Sequence, residues 1–107
     1  MVRLNDIQGK FEILNGRLDN GDILLNGIKK FQPDACIHLA WYAEPGKYLF
    51  SEKNLASLFD SISLFKLLVS ENCQKIVMAG TCAEYDTNYG YLSEETPIKP
   101  ETPYAAA

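Results

Sequence analysis

Apolar positions along this 107-residue chain keep two different rhythms, and each change of rhythm marks an element. From Ser51 to Glu71 the residues Leu55, Leu58, Phe59, Ile62, Phe65, Leu68 and Val69 recur every three or four positions, which gathers them on one side of a helix. Ser51 suits its cap. A shorter helix is predicted after Asp19 or Asn20, either of which caps it, with Asp22 in its first turn. Leu24, Ile28 and Phe31 keep helical spacing until Pro33 closes that segment. Two short, nearly unbroken apolar runs, Ala35 to Ala40 and Lys75 to Ala79, read as buried strands covered on both faces. Phe11 to Leu14, ended by Asn15 and Gly16, reads as another short strand. Asp86 to Pro103 holds three prolines, a glycine and several turn formers, so it is expected to be a long surface loop. Pro103 then opens a helix, since proline suits a first turn and alanine, which fills positions 105 to 107, has the best helix propensity.

Strand, helix, strand, helix, strand, loop and helix start is the alternation of an α/β domain, in which right-handed crossovers make the sheet parallel. Such sheets bind ligands beyond the carboxyl ends of their strands. That rule directs attention to Leu39, Ala40 and Trp41 after one strand and to Gly80 and Thr81 after the other.

Composition narrows the chemistry. With 47% hydrophobic and 22% charged residues the chain is expected to be an ordinary globular domain with a modest core. Its net charge of -4, with no basic cluster larger than a pair such as Lys29 and Lys30, disfavours nucleic acid as a partner. The strongly apolar stretch from Ala35 to Ala43 is interrupted by His38 and falls far short of the roughly 20 residues of a membrane span. The start Met1-Val2-Arg3-Leu4-Asn5-Asp6 has no signal-peptide pattern, so a cytoplasmic location is the expectation. Cys36, Cys73 and Cys82 have neither C-x-x-C spacing nor a histidine cluster, which argues against zinc, a disulfide framework or any other metal centre. Cys36 and Cys73 read as buried thiols. His38, the only histidine, reads as a core residue with its hydrogen bonds satisfied.

The segments Asp34 to Ala40, Asn54, Ile76 to Tyr85 and Glu94 to Ala107 together resemble the extended short-chain dehydrogenase/reductases, specifically the NAD-dependent sugar-nucleotide epimerases and dehydratases. Order and spacing both match over nearly the whole chain. The most specific part combines Thr81 four residues before Tyr85, the proline-punctuated loop, and the Pro103-Tyr104 helix start. The resemblance implies that residues 1–107 form a partial Rossmann-like, NAD(P)-binding domain, a doubly wound parallel sheet represented by the equivalents of strands 3 to 5. It implies NAD or NADP as cofactor, a nucleotide sugar as substrate and hydride transfer at a sugar carbon. Thr81 and Tyr104 become the catalytic residues: Thr81 holds the substrate oxygen and Tyr104 acts as general acid or base. Leu39, Ala40, Trp41, Asn54 and Tyr104 become cofactor-site positions, Asn54 by supporting the site through hydrogen bonds. A homodimer of the full-length protein is compatible with the family.

A free phenol ionises near pH ~10, so the tyrosine needs a neighbouring cation to act near neutrality. In the family that cation is the lysine of Y-x-x-x-K, which would directly follow Ala107. Three departures accompany this. No G-x-x-G-x-x-G occurs anywhere, so a pyrophosphate cradle is missing. Arg17 stands where the family has an Asp near the adenine, and Asp86 where it has Gly. The chain is therefore expected to be an interior fragment, lacking the first βαβ unit and the substrate region, and inactive alone. The alternative is a non-catalytic truncated product, or a module completed by a separate polypeptide. A flavodoxin-like or response-regulator domain fits the α/β alternation but leaves the Pro-Tyr helix start unexplained. With the family's strand order, 3-2-1-4-5-6, strand 3 would stand apart from strands 4 and 5, leaving edges exposed and the isolated chain unstable or aggregation-prone.

Overall fold

The computed structural model describes residues 9–107. Its elements are α1 (Gly21–Phe31), β1 (Ala35–His38), α2 (Lys53–Ser70), β2 (Lys75–Met78) and α3 (Pro103–Ala106), with short 3-10 turns at Tyr48–Phe50, Cys82–Glu84 and Thr87–Tyr89. Among the described residues the chain is thus α/β, with a two-stranded parallel sheet and three α-helices. β1 and β2 pair in register from Ala35 with Lys75 to His38 with Met78, and α2 is the crossover between them.

Local chemistry explains where the helices start and stop. Asn20 caps α1 through its side chain, which accepts from the Ile23 N–H at 3.3 Å, and Gln32 ends it in the left-handed region at φ 52 before Pro33. For α2 the cap lies one residue later than expected, at Glu52, yet the Ser51 hydroxyl still accepts from the Lys53 N–H. Its far end is a Schellman turn: Asn72 takes φ 65, its N–H donates to the Val69 carbonyl, and the Cys73 N–H donates to the Leu68 carbonyl at 2.9 Å. The last of these bonds carries Cys73 into the core beside Leu68.

That core is small. Ile28 from α1, Leu64 and Leu68 from α2, and Cys73 are buried, with Leu18, Leu24, Cys36, Phe65, Leu67 and Ile76 packed around them. Side chains alternate across a strand, so Cys36, His38 and Ile76 face these helices while Ile37 and Val77 face the other way. Here the sequence-based expectation of strands covered on both faces is corrected. Ile37 is 71% exposed and Val77 60%, because among the described residues no element packs on their face.

The expected strand at Phe11 to Leu14 is a second correction. The segment forms no strand, since among the described residues no strand edge meets its backbone groups. It lies along α1 instead, with Lys30 paired to Glu12 at 3.2 Å. Leu14 sits so close to Gly27 that a Cβ there would come within 2.5 Å of its Cδ2. The Asp86 to Pro103 loop is more organised than its composition suggested: Tyr85 and Ile98 form an antiparallel bridge, and the Lys99 N–H donates to the Glu84 carbonyl at 2.8 Å.

Among the described residues the sheet has two open edges and one bare apolar face, which has a measurable consequence. The purified chain is expected to bind an apolar-surface dye and to self-associate with rising concentration. A sharp, reversible melt of a strictly monomeric, dye-silent chain is the contrary result.

Candidate active site

The parallel strands deliver two backbone segments to the same side. Leu39, Ala40 and Trp41 leave β1, and Ala79, Gly80 and Thr81 leave β2. Between them opens a cleft of about 330 Å³, lined also by His38, Glu84, Tyr104 and the alanines that follow Tyr104. Of the residues singled out from sequence, Leu39, Ala40, Trp41, Thr81 and Tyr104 all line it. Asn54 does not. It lies fully buried under the cleft, at the start of α2.

Thr81 ends the β2 segment and caps the 3-10 turn that follows, its Oγ1 accepting from the Ala83 N–H at 3.2 Å. A threonine hydroxyl has one proton to give, and this bond leaves that proton uncommitted. Tyr104 sits in the first turn of α3, which Thr102 caps by accepting from the Ala105 N–H at 3.1 Å, with Pro103 at the first helical position. Its ring meets the Tyr48 ring edge-on, with centroids 4.6 Å apart at 80°.

Asn54 ties these parts together. Its Oδ1 accepts from Trp41 Nε1 at 2.9 Å, and its Nδ2 donates to the Tyr48 carbonyl at 2.6 Å and the Ser51 carbonyl at 2.9 Å. One side chain therefore holds a wall of the cleft through Trp41 and the backbone of the residue whose ring packs on Tyr104. Ser57 and Ser61 continue the polar stripe along α2. The Ser57 Oγ accepts from the Tyr42 N–H at 3.4 Å, and Ser61 meets His38 Nε2 at 2.8 Å.

His38 is the buried, satisfied histidine expected from sequence, 5% exposed and edge-on to Phe65. The Ser61 hydroxyl donates its single proton to the Ser57 carbonyl at 2.7 Å, so it must accept from His38, which fixes the Nε2–H tautomer of a neutral ring. Burial pushes the imidazole below its ordinary value. The unfolded chain then binds a proton that the folded chain refuses, so stability is whole above the ordinary histidine range near ~6.5 and falls as pH drops below it. Urea unfolding followed by Trp41 fluorescence should show a midpoint that declines from pH 7.5 to pH 5, and His38→Gln should flatten that slope. An unchanged slope in the variant would contradict the assignment.

The cysteines separate as follows. Burial raises the Cys36 thiol above its ordinary range, with Cys73 adding to the effect, and Cys82 is exposed beside Thr81. Among the described residues no group of three His, Cys, Asp or Glu side chains could hold a metal ion, and no helix is long and apolar enough to cross a membrane. Two residues at the site were not singled out from sequence: Glu84, which lines the cleft three positions after Thr81, and Tyr48, which packs on Tyr104 and lies in a stretch with no periodicity to interpret.

No curated protein and no solved structure shows a significant match to the chain. The profile described as the NAD dependent epimerase/dehydratase family does match, over residues 2–107. With that match spanning nearly all of its length, and with a cleft at the carboxyl ends of parallel strands, the chain belongs to the NAD-dependent epimerase/dehydratase family.

Proposed function

We propose that this chain supplies the nicotinamide-side half of a site in which an NAD(P)-dependent enzyme of the family acts on a nucleotide-linked sugar. The observation that carries the reading is the convergence of Thr81, Tyr104 and the Leu39-Ala40-Trp41 backbone on one cleft. A cleft of about 330 Å³ is at the small end of ligand sites, suited to part of a dinucleotide rather than all of it. Leu39, Ala40, Trp41 and Tyr104 would hold that part. When bound, the nicotinamide cofactor supplies two-electron oxidation or reduction of a sugar carbon.

The chain's own residues handle the oxygen on that carbon. Thr81, with its hydroxyl proton uncommitted, donates to the oxygen and orients it. Tyr104 takes up or returns the proton at its phenol oxygen. A phenol acting near neutrality needs a cation beside it, and among the described residues no lysine or arginine lines the cleft. The chain also contains no glycine-rich turn for the pyrophosphate. We read these 107 residues as contributing to the binding of cofactor and substrate. The bare face and open edges of the sheet favour one further reading, that the segment works within a larger sheet, whether the remaining strands come from the same polypeptide or another.

The test is Tyr104→Phe in a version of the protein that carries both the glycine-rich turn and the lysine. Nicotinamide binding should be kept and turnover lost; undiminished turnover ends the reading.

A further inference from the structure

Glu84 has no role in the proton transfer outlined above, yet it lines the same cleft as Thr81 and Tyr104. Thr81 caps a short 3-10 turn whose last residue is Glu84, so one turn brings both residues to the cleft. Glu84 Oε1 lies over Gly80, only 3.5 Å from where a Cβ on that residue would stand.

Its partners are as informative as its position. Among the described residues the Glu84 carboxylate makes no hydrogen bond or ion pair, although a lysine is tied to its own backbone. Lys99 donates its N–H to the Glu84 carbonyl but sends its ammonium to Asp86 at 3.7 Å and Glu101 at 3.4 Å. A half-buried carboxylate facing a cleft with all its acceptor capacity free is matched by a ligand that brings donors and no negative charge. Two neighbouring hydroxyls fit that description, since one carboxylate can accept from both. Phosphate does not fit, because it would set like charges side by side.

We propose that Glu84 is a ligand-binding residue that accepts hydrogen bonds from a vicinal diol, beside the oxygen that Thr81 orients. This rests on the reading of the cleft given under Proposed function. The diol has two sources there, a ribose of the cofactor and the sugar of the substrate. Both present the same chemistry to the carboxylate.

The experiment titrates the 107-residue chain separately with NADH and with UDP-glucose, following Trp41 fluorescence and ligand-observed NMR, for wild type, Glu84→Gln, Glu84→Asp and Glu101→Gln. Gln keeps the shape and removes the charge, Asp withdraws the carboxylate by one carbon, and Glu101, paired with Lys99 outside the cleft, is the control. A lost hydrogen bond to a charged acceptor corresponds to roughly tenfold to a hundredfold weaker binding. Weakening of that size in Glu84→Gln for NADH alone assigns the diol to the ribose, and for UDP-glucose alone to the sugar. Either supports the proposal, provided Glu101→Gln binds like wild type. Unchanged affinity for both probes in Glu84→Gln and Glu84→Asp overturns the proposal and leaves the reading of the cleft standing. Failure of wild type to bind either probe overturns both.

Discussion

Asn54→Ala is expected to destabilise the chain by about 2 to 4 kcal/mol, a large effect for a single polar side chain. The substitution removes three hydrogen bonds at a fully buried position and strands their partners, the Trp41 indole N–H and the Tyr48 and Ser51 carbonyls. A buried polar group without a partner costs its full desolvation, which is why the loss exceeds the net worth of the bonds themselves. The amide's orientation is also fixed, with its oxygen on an indole donor and its nitrogen between two acceptors. Asn54→Asp is therefore expected to be no milder than alanine, despite its matching size, because it sets a carboxylate oxygen against two carbonyls. Trp41, the only tryptophan, reports the change: its emission should shift to the red and its indole proton should exchange faster. Both variants should also lose nicotinamide binding, since Trp41 walls the cleft and Tyr48 packs on Tyr104. Wild-type emission and an unshifted urea midpoint in Asn54→Asp would show that the amide carries no such role.

This network marks the limit of what the chain's pattern reveals. Both main helices and both paired strands were legible, because Leu55 to Val69 and the runs at Ala35 and Lys75 follow periods set by local geometry. Thr81 and Tyr104 were singled out through motif spacing, and the structure brings them to one cleft. Phe11 to Leu14 was misread because its pattern suits a strand, while a strand also needs a neighbour that local sequence does not specify. The burial of β1 and β2 was overestimated for the same reason. An apolar run says that a face can be covered, and Ile37 and Val77 show that nothing among the described residues covers it. Tyr48 was invisible for a different reason, since its contact with Tyr104 spans more than fifty positions and depends on Asn54 holding a loop with no period of its own.

Tyr104→Phe carries the largest expected effect on chemistry. In a version of the protein with a lysine four residues after Tyr104 and a glycine-rich turn ahead of Phe11, the substitution is expected to lower kcat roughly a hundredfold to ten-thousandfold, the range of a general acid or base. Only the oxygen is lost, so the edge-on packing against Tyr48 persists and nicotinamide affinity should stay close to wild type. That split separates a proton-transfer role from a structural one, because a residue that merely packed would change binding and turnover together. Tyr48 gives the complementary control. Tyr48→Leu removes the ring that Tyr104 rests on and should lower turnover less than the loss of the phenol does, while Tyr48→Phe keeps the ring and should retain most of the activity. The cation requirement adds a final constraint. A tyrosine that moves protons near neutral pH needs a cation beside it, and among the described residues no lysine or arginine lines the cleft. Replacing the lysine four residues after Tyr104 by methionine should remove about as much activity as Tyr104→Phe, and combining the two should cost little more than either alone. Additive losses would mean that tyrosine and lysine act independently.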